Sequence, residues 1–365
     1  VKKLVLRLLI VSVMATLVLV LFELYLRREV TYVVHRELAE SRGLVEQSAE
    51  FLVTTGSQGR RLVPNADVII KNHFTSGLDV EIKTNSLGLR HRELQTPKPA
   101  NELRVLILGD STTVMDYLPD AQTYVRLIEQ KLQEGMPGRS VQVINAGIGN
   151  IGTEEQLQIL REVGPVIQPD IVLLAYYLND SRPPWGFSGE VGDGGWLRRH
   201  SLIADTIYRR FIEQNWQAER RVQFEWIPAL DSLPWRSDHS AFLKLTELAK
   251  FDWGAGWVES EQSILQQHLR EFSAEVREQG ASPLLAIFPP RFQVEADFVE
   301  DLPQRVFAKF ASELSIPSTD LLPLFRNKED RGALFYDHCH VTANGAEVIA
   351  QALTPAILAV TQPGL

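Results

Sequence analysis

Four short clusters in this sequence hold residue types that can do chemistry. Gly109-Asp110-Ser111-Thr112 offers a hydroxyl, and Asn145-Ala146-Gly147-Ile148-Gly149-Asn150 a glycine-rich turn between two asparagines. Asn179-Asp180 offers an amide and a carboxylate, and Asp337-His338-Cys339-His340 a carboxylate beside two imidazoles. A serine hydroxyl is a weak nucleophile until a base takes its proton. Histidine supplies a base with a pKa near the working pH, and a carboxylate fixes its tautomer and stabilises the imidazolium. Together these types point to nucleophilic acyl transfer. From the residues alone, His338 and His340 both qualify as the base. Each cluster also has a plainer reading: a turn, a capped loop, or a metal pair of Asp337 with His338 or His340, for which no third ligand cluster is evident.

Such chemistry needs the clusters brought together, and the segments before them can do that. The apolar run Leu103–Leu108 reads as a strand ending at Gly109-Asp110-Ser111. Val141–Ile144 reads as a second strand ending at Asn145, Ile171–Tyr176 as a third ending at Asn179-Asp180, and Pro283–Phe288 as a fourth. Helical spacing of apolar residues is seen over Tyr124–Leu132 (Val125, Ile128, Leu132), and Glu154–Val163 also reads as a helix. A longer helix carries Ile264, Leu265, Leu269, Phe272 and Val276 on one face. Val341–Leu358 reads as a terminal helix that Pro355 should kink or end. Strands alternating with helices imply a mainly parallel sheet covered on both faces, an α/β fold. Ligands of such sheets sit beyond the carboxyl ends of the strands, so the clusters should converge there.

In this order, the first three at strand ends, the four motifs resemble those of the SGNH (GDSL) hydrolase superfamily, over residues 103–182 and 263–362. Asn85-Ser86-Leu87-Gly88-Leu89-Arg90 is similar to the N-x-x-G-x-R segment of a membrane-associated bacterial branch. The resemblance implies a three-layer α/β/α fold of flavodoxin-like type. It implies Ser111 as nucleophile and, by the family's D-x-x-H spacing, His340 as base and Asp337 as orienting acid, with Asp110 supporting the turn. It implies an oxyanion hole made by the Ser111 backbone N–H, the Gly149-Asn150 turn and the Asn179 side chain, each donor worth about 3 kcal/mol. Two positions depart from the pattern. Asn150 stands where the family usually has glycine, and asparagine tolerates the left-handed backbone better than most residues. Tyr177-Leu178-Asn179-Asp180 lacks the glycine of G-x-N-D. The implied activity is a serine esterase that removes O-acyl groups, O-acetyl foremost, through an acyl-serine, without cofactor or metal. Its substrate would be an acylated carbohydrate, such as a cell-surface or exported glycan, or a small ester. An O-acyltransferase on a glycan, a lipase or lysophospholipase, and a non-catalytic glycan-binding protein stand as alternatives.

The chain has 365 residues, enough for about two domains or one large one. With 45% hydrophobic and 23% charged residues it is neither disordered nor collagen-like. A net charge of −9 without a long basic run argues against a nucleic-acid partner. Cys339 is the sole cysteine, which rules out an intramolecular disulfide and a Cys-based zinc site. Residues 4–26 are mostly apolar and carry no charge except Arg7 and Glu23 near the ends. As a helix they reach roughly 35 Å, enough to cross a hydrocarbon core of about 30 Å, with the two charges snorkelling outward. The following ELYLRREV has no small-x-small cleavage site, which favours a retained anchor. A short tail before it and a large domain after it place that domain on the extracytoplasmic side. The expected organisation is a transmembrane anchor over 1–28, a stalk and small β-containing segment over 29–100, and the hydrolase domain over 101–365. Within the second part Val80–Thr84 alternates as a strand, and Thr96–Pro99 reads as a linker. Residues 183–258 interrupt the rhythm and contain all seven tryptophans, with an amphipathic helix over Trp196–Trp216. This insertion either packs its tryptophans inside, covers the substrate as a lid, or lies against the membrane.

Overall fold

Successive side chains of a strand turn to opposite faces of its sheet. The central strands carry apolar residues at both parities, so both faces must be covered. The computed structural model shows this arrangement. It describes residues 2–41, 53–56, 59–73, 75–149, 151–181, 201, 203–204, 207, 226–250, 252–296 and 298–361. Two antiparallel hairpins come first: β1 (Val53–Gly56) with β2 (Gly59–Leu62), and β3 (Asp67–Ile70) with β4 (Val80–Lys83). Then follow β5 (Glu102–Leu108), β6 (Ser140–Asn145), β7 (Ile171–Tyr177), β8 (Ser282–Phe288) and β9 (Ser318–Asp320). These five form one parallel sheet in the order β6-β5-β7-β8-β9. The chain steps from β5 outward to β6 and then back past β5 to β7. That reversal opens a crevice at the carboxyl ends of β5 and β7, the usual place for a ligand in such sheets.

All seven residues of β5 and of β7 are buried. Val105, Ile107, Leu173 and Ala175 share one apolar cluster with residues of the helices Tyr124–Gly135 and Ala343–Thr361. Leu106, Leu108, Val172 and Leu174 share the other with Thr153–Ile167, Glu259–Glu278 and Leu302–Glu313. Each such Leu, Val or Ile contributes about 1.5–3 kcal/mol by leaving water. This is the three-layer α/β/α arrangement expected from the sequence.

The terminal helix runs through Pro355 to Thr361, so of the two effects expected of that proline, ending the helix is not seen. Pro355 lies on the exposed face with Gln351, so water can take the carbonyl that loses its donor. On the opposite face Ile349, Leu353 and Ile357 are fully buried and hold the helix in place.

The first helix spans Lys2–Ser41. Its Lys2–Tyr25 portion is long and apolar enough to cross a membrane, and none of it is buried. The Thr16 hydroxyl donates to the Ser12 carbonyl one turn back (2.9 Å), which satisfies its hydrogen within the helix. Near the end of that portion, the Glu23 carboxylate accepts the Ser201 hydroxyl and the Ile203 N–H, each at 3.0 Å.

Strand β4 matches the alternation at Val80–Thr84, and the β3–β4 hairpin is packed onto the main sheet. Leu62, Val80, Ile82 and Leu89 lie in the same apolar cluster as Leu106 and Ile144. In the aromatic insertion Trp226, Trp235 and Trp253 are buried, and Trp226 meets Trp253 edge-on with ring centroids 6.1 Å apart. These tryptophans pack inside. Trp185, Trp196 and Trp216, and the Trp196–Trp216 helix apart from positions 201, 203, 204 and 207, lie outside the described residues.

Candidate active site

The crevice between β5 and β7 is bordered by Gly109-Asp110-Ser111, which leaves β5 in a sharp turn. Ser111 opens a four-residue helical turn, Ser111–Val114. Asp110 caps it: its Oδ1 accepts the Thr112 N–H at 2.8 Å and the Thr112 hydroxyl at 2.7 Å. This is the supporting role expected for Asp110. The second motif braces the same turn from β6. Asn145 Nδ2 donates to the Thr113 carbonyl (2.9 Å), and its Oδ1 accepts the Gly147 N–H (3.0 Å). Gly147 must be glycine, because a Cβ there would lie 2.3 Å from the Val114 nitrogen.

His340 reaches Ser111 from the loop before the last helix. Its Nε2 lies 3.0 Å from Ser111 Oγ, and its Nδ1 lies 2.7 Å from Asp337 Oδ2. The other Asp337 oxygen accepts the backbone N–H of Cys339 (3.0 Å) and of His340 (2.8 Å), so the acid is fixed by its own loop. Burial pulls the His340 pKa down. The hydrogen bond and charge of Asp337, joined by the charges of Asp110 and Asp116, outweigh burial and leave it above the ordinary 6.5. Burial likewise raises Asp337, but the hydrogen bond and charge of His340, the charge of His338 and the Cys339 N–H bring it well below the usual carboxylate range. Asp337 is therefore ionised at neutral pH, as an orienting acid must be. His338 does not share this geometry: its Nε2 faces Asp252 Oδ2 at 3.8 Å. Donor atoms of Asp337, Cys339 and His340 lie within 4.8 Å of one another, a spacing that a metal ion can also use. Here Asp337 already engages His340 Nδ1, and burial pushes the Cys339 thiol up in pKa, away from the thiolate that a metal needs.

Of the expected oxyanion-hole residues, Gly149 lies beside Ser111: a Cβ on it would be 3.9 Å from Ser111 Cβ. Asn150 lies outside the described residues. Asn179 sits on the turn after β7. Asp180 builds that turn by accepting the Tyr177 N–H (3.2 Å) and the Gln156 amide (3.1 Å) on its side chain, and the Thr153 N–H (2.8 Å) on its carbonyl. Asn179 Nδ2 donates to Asp252 Oδ1 at 3.1 Å. All four motifs thus meet at one end of the sheet.

The structure adds residues that the motifs did not reveal. Arg90 closes the N-x-x-G-x-R segment, and its buried guanidinium donates to the carbonyls of Val114 (2.7 Å), Met115 (2.6 Å) and Leu118 (2.8 Å). It thereby holds the C-terminal end of the turn that starts with Ser111. The segment is shaped for this. Asn85 Oδ1 accepts the Leu87 and Leu89 N–H groups at 3.0 Å each, and Gly88 takes the left-handed φ of 70°. Tyr117, fully buried, stands edge-on to the His340 ring with centroids 4.9 Å apart. Arg90→Ala leaves three carbonyls without their donor. It is expected to cost about 3–5 kcal/mol of stability, read in a urea melt. Arg90→Lys, with a single ammonium in place of the fork, should recover only part of that loss.

No family model and no curated protein matches the chain. Among solved structures it is similar to TesA, with 16% identity over 70% of this chain and 99% of that one and a TM-score of 0.41. It is similar to a lipase/acylhydrolase from Enterococcus faecalis, with 13% identity over 70% and 95% of the two chains and a TM-score of 0.41. It is also similar to Axe2, an acetyl xylan esterase from Geobacillus stearothermophilus, with 15% identity over 70% and 94% and a TM-score of 0.38. It is the geometry around Ser111, not these distant likenesses, that carries the functional reading.

Proposed function

We propose that this chain is a serine esterase of the SGNH type. The observation that carries the reading is the line of two contacts, Ser111 Oγ to His340 Nε2 at 3.0 Å and His340 Nδ1 to Asp337 Oδ2 at 2.7 Å. Ser111 gives its proton to His340 Nε2 as Oγ attacks the ester carbonyl. The tetrahedral oxyanion is met by the Ser111 backbone N–H, the Gly149-Asn150 turn and Asn179. His340 then protonates the leaving alcohol, and the C–O bond breaks to leave an acyl-serine. A water molecule, deprotonated by the same imidazole, releases the acid and restores the hydroxyl.

The substrate class is an O-acyl ester, O-acetyl foremost, on a cell-surface or exported glycan. The resemblance of the four motifs to the SGNH superfamily, and of Asn85–Arg90 to its membrane-associated branch, supports this choice. The apolar portion of the first helix anchors the protein in a membrane through residues 4–26, with the hydrolase domain on the extracytoplasmic side. The test uses the full chain in detergent with p-nitrophenyl acetate, butyrate and octanoate. Turnover should be highest on acetate and fall with acyl length. Absence of turnover from folded protein sinks the esterase reading, and a preference for octanoate moves the substrate to lipids.

A further inference from the structure

Asp252 is a buried acid that the triad does not use. It belongs to the aromatic insertion, at the start of the 3₁₀ turn Trp253–Trp257, and only 5% of its surface is exposed. One oxygen, Oδ1, accepts from Nδ2 of Asn179 at 3.1 Å, while Oδ2 lies 3.8 Å from His338 Nε2. His338 Nδ1 is in turn 3.8 Å from Asp337 Oδ1. A run of side chains therefore links the catalytic acid, through His338 and Asp252, to the asparagine expected in the oxyanion hole. An amide nitrogen carries two hydrogens in one plane. Once a fixed acceptor holds the first, the direction of the second is determined.

We propose that Asp252 is a positioning residue for the oxyanion hole: it takes one N–H of Asn179 and so aims the other at the carbonyl oxygen of the ester. The proposal rests on the esterase reading and deepens it. A bare carboxylate this close would oppose a developing oxyanion. His338 Nε2 stands 3.8 Å from the far oxygen of Asp252, and burial weakens the charge of that carboxylate by raising its pKa. The Trp226 ring packs against His338 with centroids 5.1 Å apart and meets Trp253 edge-on, which keeps the pair in place. On this view the insertion belongs to the machinery that stabilises the transition state.

The experiment is a double-mutant cycle on the full chain in detergent, with p-nitrophenyl acetate and with active enzyme counted by fluorophosphonate titration. Asn179→Ala should lower kcat about 100-fold. Asp252→Ala should lower it about ten-fold, with KM within about two-fold. In the double variant kcat should fall no further than in Asn179→Ala alone. Asp252→Asn keeps an acceptor oxygen and should stay within about three-fold of the unmodified chain. A merely structural role predicts instead a smaller titrated fraction with unchanged kcat per active site, and that result overturns the proposal. Losses that multiply in the double variant overturn it too, as does an unchanged kcat in Asn179→Ala. Should Asp252→Ala fail to fold, Asp252→Glu decides: displacing the acceptor oxygen by one methylene should cost about ten-fold in kcat, and an unchanged kcat rejects the idea. Failure of the esterase reading looks different, because the unmodified chain would then show no serine-dependent turnover.

Discussion

Ser111→Ala is expected to lower kcat on p-nitrophenyl acetate by about 10⁶-fold while leaving KM within about three-fold. The hydroxyl is the atom that His340 Nε2 faces at 3.0 Å, so its removal takes away the nucleophile and leaves the base with nothing to activate. Binding changes little because the hydroxyl contributes mainly once the new C–O bond begins to form. The turn should survive. It is held by Asp110, Asn145 and Arg90, none of which bonds the Ser111 side chain. Fluorophosphonate labelling should disappear together with turnover. Labelling that persists in Ser111→Ala would show that another residue is the nucleophile.

Asp337→Asn should cost about 10⁴-fold in kcat, through the tautomer of a ring two bonds from the reaction. The carboxylate now accepts from His340 Nδ1, which leaves Nε2 free to take the serine proton. An asparagine can present an N–H to Nδ1 instead, and the ring proton then moves to Nε2, where it blocks the base. The pH profile carries a second signature. The base acts only when neutral, so kcat/KM falls as pH drops through the His340 pKa. That pKa stands above 6.5 chiefly because the hydrogen bond and charge of Asp337 overcome burial. In Asp337→Asn the acid limb of the residual activity should therefore shift to lower pH. A limb that stays in place would mean that Asp337 does not set the charge of the base.

Much of this was legible in the residues, for identifiable reasons. Leu103–Leu108 and Ile171–Tyr176 read as strands because burial on both faces demands unbroken apolar runs, and they are so buried. Strand β9 gives no such signal. It is three residues at the sheet edge, Ser318-Thr319-Asp320, none of them apolar and none fully buried. Residue types alone do not separate His338 from His340; the choice of His340 follows from the resemblance to the family's D-x-x-H motif, and in space the two rings face different partners, Asp252 and Ser111. Asp252 lies 73 positions beyond Asn179 in a segment with no motif, so only the folded chain brings the two together. Arg90 was conspicuous within its segment, but its partners lie 24 to 28 residues ahead, beyond any local pattern.

The Arg90 contacts also bear on where the catalytic unit can be cut. A fragment beginning at β5 would keep the whole parallel sheet and Ser111, Asp337 and His340, yet three carbonyls behind Ser111 would lose their donor. It would also uncover the apolar side chains that Leu62, Val80, Ile82 and Leu89 now shield. Arg61 adds a further tie from β2, a two-pronged ion pair to Glu162 at 2.7 and 2.8 Å. On the proposed reading, the smallest self-sufficient fragment therefore starts about forty residues ahead of β5 (Arg61 against Glu102). If the first helix anchors the chain as proposed, the tether that follows it is shortened by that stretch, because residues that look like spacer are already spent in holding the turn at Ser111.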